Sequence, residues 1–379
     1  MALLTVASLA LSSVGEVARS ARFTRSTRKI RPGLTFVKLR DSNGPNEIRI
    51  LMVNPAKAVT IDVARASKSF PGMATTGAMA AAHGAIAAIN GDFARSPGRP
   101  AHAYAEDGHL IQTGHTEGAS FAISQDERTA YIGHPVINIF AHVNSTNEDL
   151  QVDEWNEGTP GAGEIVAYSP VGGTAAKPPR DACSARLVPI GRLRWGTGKE
   201  RIARPYRVDR SACTSTAMDV NGGLVLSARQ GSAKGAQLAA LPLGDTVNVT
   251  WSYGWPGVAD AIAASPQILD NGNIIAPTNC GYICYRHPRT GVGITANGKV
   301  LLFVVDGRDA GRSIGMNLAQ FARLMRREGA VDGMNFDGGG STTMIVNGKV
   351  VNKPSDGQQR VRANALLVLP GADTGENFG

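Results

Sequence analysis

"NLAQFARLMRREGAVDGMNFDGGGSTTMIVNGKVVN", residues 317–352, reads in turn as a helix, a strand, a glycine run and a hairpin. Leu318, Phe321, Ala322, Leu324 and Met325 recur at helical spacing, and Gly329 supplies the C-cap. "AVDGMNFD" follows as a strand, and Asn347-Gly348 marks a tight hairpin. Between them Gly338, Gly339 and Gly340 stand directly after Asp337 and before Ser341, Thr342 and Thr343. Three glycines forfeit side chains and backbone entropy together, which a plain strand or helix does not explain. A tight turn accounts for one or two of them. The full run predicts a backbone closely approached by a ligand, its N–H groups forming an anion-binding nest and the hydroxyls adding donors.

Upstream, "VLLFVVDG" (300–307) is a continuous apolar strand ending in an acid. "TFVKL", "EIRILMVN" and "AVTIDVARA" read as further strands, broken at Pro45 and Pro55. "TTGAMAAAHG" reads as a helix and "AIAAIN" as a buried strand. Residues 144–165 are polar and Gly-rich and read as a long loop or insertion. No sustained βαβ alternation or nucleotide fingerprint occurs. The expected fold is α+β, with curved mixed sheets and flanking helices.

"GAIAAINGD" (84–92) echoes "GAVDGMNFD" (329–337), and each stretch follows a helix that follows a Gly-Met pair. This suggests an internal pseudo-repeat of a helix–strand unit ending in Asn-x-Asp. A buried strand has no packing reason to end twice in a carboxylate. If the ends meet, Asp92 and Asp337 share a cleft, and paired carboxylates can divide acid and base roles in glycosyl transfer.

With 379 residues the chain can bury one large core or two, and 45 glycines and 20 prolines favour turns and short strands. The net charge of +8 is local, because residues 19–40 carry eight basic side chains and no acid. Such a Ser/Thr-rich basic stretch reads as a solvated arm, and no nucleic-acid motif accompanies it. Nucleic acid is excluded as a partner. No apolar run reaches the roughly 18–20 residues of a membrane span. "LLTVASLAL" (3–11) resembles the apolar part of a secretory signal but lacks a basic region before it. An ordinary N-terminal helix is the alternative.

Cys280 and Cys284 flank a short loop, and Cys183 and Cys213 lie thirty positions apart. Zinc prefers two close pairs. Two disulfides, Cys280–Cys284 and Cys183–Cys213, fit better than four thiols and imply an oxidising compartment. Arg289 follows Pro288 and precedes the apolar "GVGI", which suits a fixed guanidinium fork for phosphate. Arg286, Arg308, Arg360 and Arg362 are further cations near the glycine run in sequence. His83, His102 and His109 read as structural, and the histidines show no ligand spacing. Asp306, Asp309 and Asp337 could collect a hard cation, but no spacing demands one and no cofactor is expected.

"AINGDF" (88–93), "HPRTGVGI" (287–294), "VVDGR" (304–308), "GMNFDGGGSTTM" (333–344) and "VVNKPSDGQQRVRANALLV" (350–368) together resemble the phosphodiester glycosidase family. The resemblance runs in order from about Gly33 to Pro370 and is weakest over 140–215. It implies a catalytic domain over 33–370, after a signal-like basic arm (1–32) and before a tail (371–379). It further implies hydrolysis of a glycosyl phosphodiester to sugar and phosphomonoester by an exported enzyme. Asp337, Asp92 and Asp306 are then the catalytic candidates. Asn90, Arg289, Arg308, Gly338, Gly339, Ser341, Thr342, Arg360 and Asn364 would bind substrate. The rival readings are a glycosidase acting on a phosphate-free surface polysaccharide and a non-catalytic carbohydrate-binding protein. Oligomeric state is not legible.

Overall fold

The computed structural model describes residues 22–115, 118–195 and 202–371. The signal-like run 3–11 and the tail from 372 lie outside the described residues. The fold is strand-dominated α+β, with three short α-helices among the described residues.

An eight-stranded antiparallel sheet runs in the order Phe23–Arg31, Leu34–Asp41, Asn46–Val53, Val300–Val305, Arg289–Thr295, Ala330–Asn335, Gln267–Asp270 and Asn273–Ile274. A five-stranded sheet orders Lys349–Val350, Met344–Val346, Ala87–Asn90, Asn364–Pro370 and Val59–Arg65. Two further sheets, of five and nine strands, are built mainly from residues 104–264.

Alternation along the apolar strands explains how the first two sheets stack. In Val300–Val305, Val300, Leu302 and Val304 join a central core with Ile61, Ile89, Leu366 and Val368 of the five-stranded sheet. Leu301, Phe303 and Val305 point the other way, against Leu318, Phe321 and Met325 of helix Leu318–Arg327. A strand covered on both faces has no polar positions to show, which is why this run reads as continuously hydrophobic. In the facing sheet, Ala88, Ala365 and Leu367 pack on Met79 and Ala80 of helix Thr76–Ala82. The central stack is therefore helix, sheet, sheet, helix. Asn317 and Gln320 form a reciprocal capping box that starts the longer helix.

The two echoing segments lie in different sheets of this stack, each with its preceding helix on the outer face of its own sheet. Their C-terminal ends meet.

Two expectations about the chain change. The basic segment is no free arm over 23–31, because Phe23–Arg31 pairs antiparallel with Leu34–Asp41. Its charges face solvent at the sheet edge, where they discourage pairing with another chain. Arg25 reaches Glu328 at 2.5 Å, and Arg327 lies 3.2 Å from the Phe23 ring centroid. Residues 144–165 are no long loop either, since Glu148–Val152 pairs with Asn138–Val143. Leu150 and Val152 turn inward from that polar stretch.

Both expected disulfides are present. Cys183 and Cys213 are directly opposed on neighbouring strands, and Cys280–Cys284 closes the one-turn helix Gly281–Cys284. Among the described residues no helix is long and apolar enough to cross a membrane.

Candidate active site

Asn90, at the end of its strand, ties the two sheets together. Its Nδ2 donates to the Asp337 carbonyl at 2.7 Å, and its Oδ1 accepts from Thr290 Oγ1 at 2.8 Å and the Thr343 amide at 3.0 Å. The Asp337 amide donates to the Gly91 carbonyl at 3.1 Å. Asn90 has no exposed surface, so it holds Asp337 in place without reaching any ligand.

The glycine run then bends past three neighbours. A Cβ on Gly338 would lie 2.6 Å from the Pro288 carbonyl oxygen. One on Gly339, whose φ is +59°, would lie 2.9 Å from Arg308 Nη2, and one on Gly340 would overlap the Asp356–Arg360 ion pair. The three glycines therefore admit other parts of the protein. The expected nest is not formed as such, because the Gly339 amide donates to the Pro288 carbonyl at 2.9 Å. Close approach brings Arg308 and Arg360 over the turn instead.

The result is a cavity of about 140 Å³ lined by Asp337, Arg289, Arg308, Arg360, His287, Asn335, Phe93 and Tyr282, with Gly338–Gly340 as part of its wall. Larger cavities, of about 420, 610 and 630 Å³, lie elsewhere; the first also gathers arginines around one acid, but that acid, Asp41, has both oxygens taken by Arg22.

Arg289 is 2% exposed. Its Nε donates to the Met316 carbonyl, its Nη2 to the Ile283 and Tyr285 carbonyls, and its Nη1 lies 3.4 Å from Asn335 Oδ1. Among the described residues no carboxylate pairs with it. Burial pulls its pKa down to about 10, so it remains a cation at neutral pH and lacks a counter-ion. Arg308 donates to Tyr282 Oη at 3.1 Å and to Ser355 Oγ at 3.4 Å, also without a carboxylate. Arg360 is paired with Asp356.

Asp337 is buried, and both of its side-chain partners hold one oxygen. Ser341 Oγ donates to Oδ2 at 2.7 Å, and Arg362 Nη1 pairs with the same atom. Oδ1 has no partner among the described residues. Burial raises the Asp337 pKa, Arg362 and the Ser341 hydrogen bond oppose that rise, and the nearby Asp92 charge adds to it. His287 donates from Nε2 to the Tyr282 carbonyl at 2.8 Å, which leaves a buried Nδ1 without a partner. Burial lowers its pKa, the hydrogen bond to the Tyr282 carbonyl opposes this, and Arg289 and Arg308 add to the lowering.

Other expected residues stand behind or away from this cavity. Asp92 has no exposed surface and does not line it. Its Oδ1 accepts from His102 Nδ1 and the Phe93 amide, each at 2.7 Å, and its Oδ2 from the His102 amide at 2.8 Å. The two carboxylates thus do not both open onto the cavity. Asn364 receives the Asp92 amide on Oδ1 at 2.8 Å, and its Nδ2 has no partner. Thr342 is buried with an unpartnered hydroxyl and lies off the cavity lining. Asp306 is also off it. Its Oδ1 accepts from the Lys353 amide and Asn352 Nδ2, and its Oδ2 lies 3.0 Å from Arg312 Nη2 at an angle unsuited to a hydrogen bond.

Asp309 pairs with Lys353, so Asp306, Asp309 and Asp337 each face a different cation. Among the described residues no three acids, histidines or cysteines are placed to hold a metal.

The sequence reading passed over His287, Tyr282, Phe93 and Asn335, and it left Arg362 as an unassigned cation. His287 had a signal in its place two residues before Arg289. Tyr282 sat inside the cysteine loop but was read only as loop.

Residues 203–369 match the model of a family described as phosphodiester glycosidase. Over 68 residues the chain is 41% identical to mouse N-acetylglucosamine-1-phosphodiester alpha-N-acetylglucosaminidase, covering 18% of this chain and 13% of that protein. Over 94 residues it is 35% identical to the SPbeta prophage-derived uncharacterized protein YomE of Bacillus subtilis, covering 24% and 14%. The chain thus spans only about an eighth to a seventh of the length of these relatives. Similar folds occur in a Synechocystis hypothetical protein (TM-score 0.68, 19% identity, 89% of this chain and 62% of that one). A Burkholderia pseudomallei protein is also similar (TM-score 0.67, 17% identity, 94% of this chain and 99% of that one). Phe93 precedes the family match, yet it lines the same cavity as residues within it.

Proposed function

We propose, from the match of residues 203–369 to the phosphodiester glycosidase family, that the protein hydrolyses a glycosyl phosphodiester to free sugar and phosphomonoester. The observation that carries the reading is Arg289, a buried guanidinium without a carboxylate, lining one cavity with Arg308 and Asp337. A buried cation without a partner is costly, and an anionic phosphate would relieve that cost.

In the proposed step, water attacks the anomeric carbon while Asp337 Oδ1 takes its proton. The bond from that carbon to the bridging oxygen breaks, and its electron pair leaves with the phosphomonoester. Arg289 stabilises the departing charge, and Arg308 holds the phosphate in ground and transition state alike. A phosphate leaving group is already acidic, so no second carboxylate is needed to protonate it. One carboxylate acting as base is the inverting arrangement without its general acid. Asp92 and Asn90 act as positioning residues. Two disulfides suit an oxidising compartment, so the enzyme is read as exported.

The test is hydrolysis of methyl glycosyl phosphates in ¹⁸O-labelled water. Label in the sugar, with inverted configuration, is the expected result. Label in methyl phosphate would mean P–O cleavage and overturn the glycosidase reading. Turnover confined to phosphate-free glycans, or binding without turnover, would favour the two rivals.

A further inference from the structure

Tyr282 is 67% exposed, yet four restraints hold it. Its ring lies 4.2 Å, centroid to centroid, from the His287 ring. Its hydroxyl accepts from Arg308 Nη2 at 3.1 Å, and its carbonyl accepts from His287 Nε2 at 2.8 Å. The Cys280–Cys284 disulfide closes the loop on both sides of it. An exposed aromatic with no packing duty is ordinarily left mobile, and ordering it costs side-chain entropy. Here that ordering is built in before any ligand arrives.

The cavity below is small. Arg289, Arg308 and Asp337 line it together, so a phosphate held there places its sugar within the same recess. Tyr282, largely exposed, stands at the rim of that cavity, where its ring can meet the sugar of a phosphate held inside. A pyranose presents a face of C–H groups, and an aromatic ring presents a negative face that attracts them. A rigid tyrosine supplies that contact at little entropic cost.

We propose that Tyr282 is the sugar platform of this site, selecting substrates whose phosphate-linked residue is a pyranose with an exposed C–H face. This rests on the glycosyl phosphodiester reading and adds the residue that recognises the sugar. Arg289 and Arg308 hold the phosphate, and Tyr282 discriminates a glycosyl phosphate from a simple alkyl phosphodiester.

The experiment measures binding by calorimetry in an Asp337→Asn background, where turnover does not interfere. The probes are methyl N-acetylglucosaminyl phosphate, dimethyl phosphate and inorganic phosphate. Tyr282→Ala is expected to weaken the glycosyl phosphate on the order of tenfold, an aromatic-contact loss. The two sugar-free anions should change no more than about threefold, as expected when a surface residue outside their contacts is altered. Tyr282→Trp should restore sugar affinity and Tyr282→Leu should not. Equal losses for all three probes would make Tyr282 a mere support for His287 and Arg308 and overturn the platform. Unchanged glycosyl phosphate affinity in Tyr282→Ala would overturn it too. Sugar affinity that depends on Tyr282, without turnover by the Asp337 protein, would support the platform and overturn the hydrolase reading alone.

Discussion

Asp92 and Asp337 end two strands with the same Asn-x-Asp spelling, and both are buried, yet their surroundings differ in kind. Asp92 accepts three hydrogen bonds shared across both oxygens, from His102 and the Phe93 amide. Asp337 concentrates its partners on Oδ2 and leaves Oδ1 free. Asp92 is a carboxylate whose acceptor sites are used for structure. Asp337 has half of its acceptor capacity in reserve at a cavity wall, and that reserve is what a proton acceptor needs. The same motif therefore yields one brace and one reactive group, and what surrounds each oxygen decides which.

The sharpest way to break this contrast is to neutralise each acid in turn. Asp337→Asn should lower kcat/KM by about 10²–10⁴, the range for loss of a positioned base. Its circular dichroism should stay native. Asp92→Asn should do the opposite. An amide offers one acceptor oxygen where the carboxylate offered two, so stability should fall by about 1–3 kcal/mol for a buried donor left unsatisfied. Activity per folded molecule should fall by less than about tenfold, below the range of a lost base. Thermal melts together with active-site-normalised rates decide between them. An activity loss at Asp92 matching that at Asp337, with the melt unchanged, would restore two working carboxylates.

A gentler probe acts on the free oxygen through the bound one. The Asp337 pKa is raised chiefly by burial and held back by Arg362 and Ser341. Activity needs the ionised form, so kcat/KM should fall as pH drops through a value above the ordinary carboxylate range. Ser341→Ala removes an interaction that favours the ionised form, so the acid limb of the pH–rate profile should move to higher pH. A limb that stays fixed would mean that another group sets it.

The parts of this arrangement legible in the sequence were those set by local periodicity. Helix Leu318–Arg327 announced itself by spacing and cap, and Val300–Val305 by its unbroken apolar run. The strand at 23–31 was hidden because its exposed positions are all polar or charged and its pairing partner, not its own pattern, makes it a strand. The alternation of Leu150 and Val152 was present but outweighed by the polar composition around it. At the site, Asp337, Arg289 and Arg308 could be picked out from motif strings. The closing of Asp92 by His102 could not, because that contact depends on how the intervening turn folds back. Nor could the role of Arg362, which reaches Asp337 across 25 positions.

The smallest expected effect tests what the glycines are for. Gly339 takes φ +59°, and a Cβ there would press on Arg308 Nη2, the flexible end of a partly solvated side chain. Gly339→Ala therefore meets two modest penalties. The left-handed backbone costs about 1–2 kcal/mol for an L-residue, and the Arg308 head must shift by a fraction of an ångström. Asp337 is untouched by either, because Asn90 and the Gly91 carbonyl fix its backbone independently of the turn. The variant should keep kcat within about twofold and raise KM several-fold, the signature of weakened binding that the ground and transition states share. If the glycines served a backbone nest that stabilises the transition state, kcat would fall instead. A kcat loss with KM preserved would return Gly338–Gly340 to the role of anion donors and take Arg308 out of it.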